Sequence, residues 1–156
     1  MKTRHYVPAI LILVSMTALG VGFSALKENA RSDAADVKAA LVAMWQAVEE
    51  GNLERYLSYI HPEITSFGEN DVYLADGKDA EQAAMALYLK RATGVHTEMR
   101  QPQVTVRGDV AWIVYYYSEA GRLDGKDFAG RGKSTRIFVR ENDRWLCIHG
   151  HYTAVP

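Results

Sequence analysis

The sequence predicts an α+β fold: a curved antiparallel sheet with helices laid over one face. Three observations lead there. Apolar spacing is helical through the first half, it changes to period 2 from Val95 onward, and no segment repeats. Helices followed by strands, without βαβ alternation, argue for antiparallel pairing. At 156 residues and 48% hydrophobic content the chain can bury one proper core, as expected of a single domain.

Lys2 and Arg4 open the chain, followed by the apolar run 7–23 and small residues. This is the layout of a secretory signal peptide. Cleavage after Ala25 puts Phe23 at the −3 position, and Ala18-Leu19-Gly20 is the better small-x-small match. An uncleaved anchor is the alternative, because the run is only slightly short of the ~20 residues a spanning helix needs. The expected organisation is therefore a signal segment or anchor over 1–25, a spacer over 26–33 and the domain over 34–156. An exported protein, periplasmic or secreted, follows from the first reading. Attachment to the membrane through residues 7–23 follows from the second. Without its first 25 residues the chain carries 16 basic and 19 acidic side chains, a net charge of about −3. That balance lacks the basic footprint of a nucleic-acid-binding protein.

Ser32 or Asp33 is placed to cap the first helix, with Val37, Leu41, Met44, Trp45 and Val48 on one stripe. Gly51 stops it, and Asn52 caps a second helix carrying Leu53, Tyr56, Leu57 and Ile60, which Pro62 ends. Residues 63–68 read as a short strand and 69–77 as a polar loop. Asp79 begins a third helix running to about Ala92, closed by Gly94.

Residues 96–107 form a long strand, Gly108-Asp109 a hairpin turn, and 110–118 a strongly apolar strand. The four glycines of 121–132 suggest a flexible connection. Residues 135–140 and 145–152 are the last strands, joined at Asn142-Asp143. Strict alternation puts Trp145, Cys147, His149 and His151 on one face of the final strand, with Leu146, Ile148, Gly150 and Tyr152 on the other. Bulky groups on both faces predict a central strand covered on both sides.

Chemistry-bearing patterns are few. His149 and His151 share a face and with a third ligand could hold zinc, but no acidic-histidine spacing around His61 or His96 completes a metal pattern. They are read as structural or interface histidines, and no metal site is assigned. Cys147, the single cysteine, excludes an internal disulfide and reads as a small core hydrophobe. No Gly-x-Ser-x-Gly elbow or phosphate-cradling glycine loop occurs. Arg136 stands out: an arginine mid-strand among Thr135, Ile137 and Phe138 must be solvated, paired or aimed at a ligand. Ala111, Ile113, Tyr115 and Tyr117 share one face of their strand, a stripe suited to core packing or to an amphipathic pocket.

Spaced matches then accumulate: Gly51-Asn52-Leu53-Glu54 with Tyr56, Pro62, Thr65-Ser66-Phe67 and Gly77-x-Asp79. They continue through His96-Thr97, Pro102-x-Val104, Gly108-Asp109 and Ala111-x-Ile113-x-Tyr115. Thr135-Arg136, Trp145 and His149-x-His151 complete the set before Pro156. From about Val37 to Pro156 the chain resembles the association domain of calcium/calmodulin-dependent kinase II. That domain lies within the nuclear transport factor 2-like superfamily, which also holds SnoaL-type polyketide cyclases and ketosteroid isomerase. No glycine-rich loop, catalytic loop or metal-binding triplet of a kinase is present, so no kinase activity is expected.

The resemblance implies a cone-shaped domain, its strongly curved antiparallel sheet and three N-terminal helices enclosing a pocket. It also implies self-association as a homodimer or larger ring. In the kinase hubs a tyrosine, a histidine and several arginines line the pocket and hold small carboxylates. Tyr56 and Arg136 match that lining, Glu81 replaces the histidine, and Tyr117 and Tyr152 replace two arginines. Ligand-binding residues are thus expected at Tyr56, Glu81, Tyr117, Arg136 and Tyr152. Loss of positive charge and gain of an acid imply a less anionic or a cationic-polar ligand. If Tyr152 faces the pocket, His149 and His151 face the outer sheet surface.

Two functions follow as expectations. The first is an exported association-domain-like module that self-assembles and holds a small polar molecule. The second is an isomerase-, cyclase- or dehydratase-like enzyme, without metal or other cofactor, with Glu81 as candidate catalytic base and Tyr56, Tyr117 or Tyr152 as donors. A carboxylate beside Arg136 is expected to form a structural ion pair instead.

Overall fold

The computed structural model describes residues 15–68 and 72–155, with side chains from residue 31 onward. The chain divides into two compact units, Met1–Ser32 and Asp33–Pro156. Residues 1–14, with much of the expected signal segment, lie outside the described part. From Ser15 the backbone is helical, and α1 spans Ser15–Glu49. The expected spacer is therefore helix, and Ser32 and Asp33 are interior to it rather than caps. Asp33 serves elsewhere: its carboxylate pairs with Arg140 at 2.6 Å. Among the described residues no helix is long and apolar enough to cross a membrane.

Gly51, at φ 68°, turns the chain after α1, and the Asn52 side chain accepts from the Arg55 amide at 2.9 Å to start α2 (Leu53–Leu57). This helix is shorter than expected, because Ile60 already belongs to β1 (Ile60–Phe67). Pro62 sits inside that strand instead of ending a helix. The β1 register is irregular between Ile60 and Thr65, so the missing proline N–H falls where no regular ladder bond is needed. The expected polar loop contains a two-residue strand, β2 (Ala75–Asp76), and leads into α3 (Lys78–Arg91).

Four longer strands complete the second unit: β3 (Ala92–Arg107), β4 (Val110–Leu123), β5 (Lys126–Glu141) and β6 (Arg144–Ala154). The six strands form one open sheet in the order β2-β1-β6-β5-β4-β3. It is mixed rather than purely antiparallel, because β1 and β6 run parallel. Residues 121–132 are not a flexible connection. β4 and β5 pair continuously from Val110↔Val139 to Leu123↔Lys126, turning at Asp124-Gly125 with φ of 52° and 79°. Two of the glycines there face large partners, Gly121 against Phe128 and Gly132 against Tyr117, so they make room instead of breaking the strands.

Register breaks bend the sheet: two in β3, one in β1 and one in β6. The last decides what enters the pocket. Phe138 pairs with Cys147 but Ile137 pairs with His149, so Ile148 is an extra residue and the phase of β6 changes there. Trp145, Cys147, Gly150 and Tyr152 take the inner face, while His149 and His151 take the outer one. Strict alternation had joined the histidines to Trp145 and Cys147, which the bulge overturns. β6 is central, between β1 and β5, but His151 on its outer face is exposed.

The core joins one stripe of α1 to the inner sheet face. Val37, Leu41, Met44 and Ala47 bury against Ala111, Ile113, Phe138 and Cys147, with Ile60 and Ile64 of β1 closing the side. The outer face of β4 is different: Val110, Trp112, Val114 and Tyr116 are 43, 37, 39 and 52% exposed. Burial thus alternates residue by residue along β4.

Candidate functional site

Between the helices and the inner sheet face lies a cavity of about 330 Å³. A larger hollow opens beside Tyr116 and Arg131, but enclosed titratable groups gather in the inner one. Tyr56, Glu81, Tyr117, Arg136 and Tyr152 all line it, drawn together from α2, α3, β4, β5 and β6.

Tyr56 is set by the capped start of α2 and is almost fully buried. Its hydroxyl donates to Glu81 Oε1 at 2.5 Å, and Ser66 Oγ donates to Glu81 Oε2 at 3.3 Å. Both carboxylate oxygens therefore have hydroxyl donors. Glu81 also stands in the first turn of α3, where the helix dipole favours an anion. Burial, then the Glu81 charge, push the Tyr56 phenol well above its ordinary range, against a downward pull from Arg136.

Arg136 projects from β5 on the inner face, paired with Ile113 of β4 and Gly150 of β6. Its Cζ lies 5.8 Å from the centroid of the Tyr152 ring, an aromatic–cation contact. The Nε–H is enclosed and has no hydrogen-bond partner. No carboxylate of the described residues stands within ion-pairing distance of the guanidinium. The expected structural pair of Glu81 with Arg136 is thus not formed, because Tyr56 and Ser66 hold the carboxylate. Burial alone would lower the arginine's pKa, but Tyr115, Cys147, Tyr56 and Glu81 outweigh it and keep the group firmly charged.

Several lining groups escaped the sequence reading. Met85 and Tyr88 continue the face of α3 that carries Glu81, at spacings of four and seven, and Glu119 continues the β4 stripe beyond Tyr117. Both periodicities were readable. Burial first, then Glu119 and Tyr152, raise the Tyr88 phenol to about 12. His149 and His151 lie outside the cavity. His149 Nδ1 is 2.9 Å from Thr65 Oγ1, and the ring of Phe67 packs edge-on against both imidazoles. Burial, then the neighbouring His151 and Arg136 charges, lower the His149 pKa.

Enclosed donors, a fixed carboxylate and an aromatic wall suit a small polar molecule. Residues 37–156 match the family described as the SnoaL-like domain. This chain belongs to that family. Over 68 residues, 42% of its length, this SnoaL-like chain is 32% identical to calcium/calmodulin-dependent protein kinase type II of Caenorhabditis briggsae, and it spans only 13% of that protein. Among solved structures, the association domain of the C. elegans kinase is 19% identical, with a TM-score of 0.67 over 81% of this chain and 98% of that one. A proposed dehydratase of the NTF2-like family from Streptomyces avermitilis is also 19% identical, with a TM-score of 0.75 over 81% and 98%. The SnoaL-like chain thus has the nuclear transport factor 2-like fold, which it shares with both kinase association domains and enzyme-like proteins.

Proposed function

We propose that this SnoaL-like chain is an exported association-domain-like module that self-assembles, as a homodimer or larger ring, and holds a small polar molecule in its inner cavity. The observation that carries the binding reading is Arg136, a charged group enclosed in the cavity wall without a carboxylate partner. Leaving such a group unmatched is costly, and a bound molecule with an acceptor matches it. Self-assembly is supported by the likeness to kinase association domains and by the exposed apolar stripe on β4. Export is supported by the N-terminal charge and apolar run.

Native mass spectrometry of protein purified from its own compartment tests all three parts. The expected result is an oligomer of a shortened chain carrying a reproducible extra mass. A monomer would count against assembly, an intact N-terminus against cleavage, and a bare protein against a tightly held ligand.

Glu81 and Tyr56 favour a second reading, a small isomerase-, cyclase- or dehydratase-like enzyme with Glu81 as base. Their 2.5 Å contact is the kind of coupled carboxylate–phenol pair such chemistry uses. Both oxygens of Glu81 are already engaged, which favours a fixed binding role. Unchanged turnover of every assayed substrate by Glu81→Gln would remove the enzymatic reading.

A further inference from the structure

The His149-Gly150-His151 segment draws the eye to its histidines, but the pocket receives the glycine. The extra residue Ile148 turns Gly150 inward, directly across from Arg136. A Cβ built on Gly150 would collide with Nη1 of Arg136, lying also 2.9 Å from its Cζ and 3.3 Å from its Cδ. The guanidinium therefore lies over bare backbone, where any side chain at 150 would displace it. We propose that Gly150 is the residue that positions Arg136, and that the molecule held there presents an acceptor oxygen to the guanidinium. This rests on the binding reading above and deepens it.

Chemistry sets the ligand class. Arginine has donors only, so its counterpart must supply acceptors. The enclosed Nε–H has none from the protein, and no carboxylate of the described residues pairs with the group. A carboxylate or a neutral carbonyl oxygen on the ligand fills the role. The Tyr152 ring lies beside the guanidinium, its centroid 5.8 Å from Cζ.

Gly132 provides the contrast that separates positioning from folding. It too faces a pocket side chain, with Tyr117 Oη 2.5 Å from a built Cβ, but the same Cβ strikes the backbone carbonyl of Thr153. At Gly150 the nearest atoms are all in the flexible head of Arg136. An alanine at 150 should displace the arginine and leave the backbone in place.

The test uses the full chain, wild type and Gly150→Ala, with Arg136→Gln as reference. The probes are benzoate, benzamide and benzylamine, titrated by NMR. The wild type is expected to bind benzoate or benzamide about tenfold tighter than benzylamine. Gly150→Ala should lose that preference as Arg136→Gln does, with its melting temperature within about 3 °C of wild type. Benzoate ahead of benzamide identifies a carboxylate ligand, and parity a carbonyl one. Benzylamine binding as tightly as the acceptors overturns the ligand class. Undiminished preference in Gly150→Ala overturns the positioning role, as does a fall in melting temperature of about 10 °C or more. If the wild type binds no probe, the acceptor-ligand proposal fails. Gly150 is then judged without ligand, by exchange of the Arg136 Nε–H with solvent. About tenfold faster exchange in Gly150→Ala supports the role, and equal exchange overturns it.

Discussion

Tyr88 shows how a single phenol reports on the cavity. Its hydroxyl is half enclosed beside Glu119, and ionising it would place a second negative charge in a poorly solvated wall. The folded-state value of about 12 lies above the ordinary 10.0. The folded protein therefore holds the proton more tightly than the unfolded chain does. The associated stability is present in full below the ordinary value and is lost as pH rises from about 10 to about 12. Tyr88→Phe should flatten that alkaline decline, visible as a smaller fall in the urea midpoint across those two pH units. An unchanged slope would mean that the Tyr88 hydroxyl is not enclosed in solution. Legibility at this scale follows one rule. Tyr88 and Glu119 could be found from spacing, because each extends a periodic face. Gly150 could not, since its role depends on which cross-strand neighbour lies over it.

The β4–β5 hairpin and the β6 bulge are the elements that build the cavity wall. Long strands with glycines at crowded inner positions read as a loop until the partner strand is known. Gly132→Ala should cost about 1–3 kcal/mol in chemical denaturation, since its Cβ meets both Tyr117 and the Thr153 carbonyl. Gly130→Ala, whose Cβ would come no nearer than 3.7 Å to Glu119, should stay within about 0.5 kcal/mol of wild type. Equal losses at the two positions would show that strand flexibility, not crowding, explains these glycines. The bulge at Ile148 acts on a different quantity, the phase of a strand. One added residue exchanges two imidazoles for a glycine and a tyrosine at the cavity wall.

At the scale of the whole molecule, the inner and outer faces of one sheet divide the work. The inner face supplies core and cavity, and the outer face exposes Trp112, Val114 and Tyr116 in a row with no covering element among the described residues. If this face joins copies of the chain, Trp112→Lys should shift the oligomer toward monomer. Benzoate binding per chain should change less than about twofold, because none of Val110, Trp112, Val114 and Tyr116 lines the inner cavity. Sedimentation velocity together with an NMR titration checks both halves, and an oligomer of undiminished size would move the interface elsewhere.

By itself the sequence determined the order of the helices and longer strands, the amphipathic stripes of α1 and β4, the turns at Gly108-Asp109 and Asn142-Asp143, and the resemblance on which the family rests. These depend on local spacing and on residue types a few positions apart. Tertiary structure alone decided that β1 runs parallel to β6, that Asp33 pairs with Arg140 instead of capping a helix, and that Tyr56 and Ser66 hold Glu81 away from an ion pair with Arg136. It also decided where the phase of β6 changes, at Ile148, so that Cys147 and Tyr152 share the inner face while the histidines keep the outer one. Each of these is a choice among partners far apart in the chain, and one unpaired residue in a ladder is enough to reverse which of two neighbours meets them.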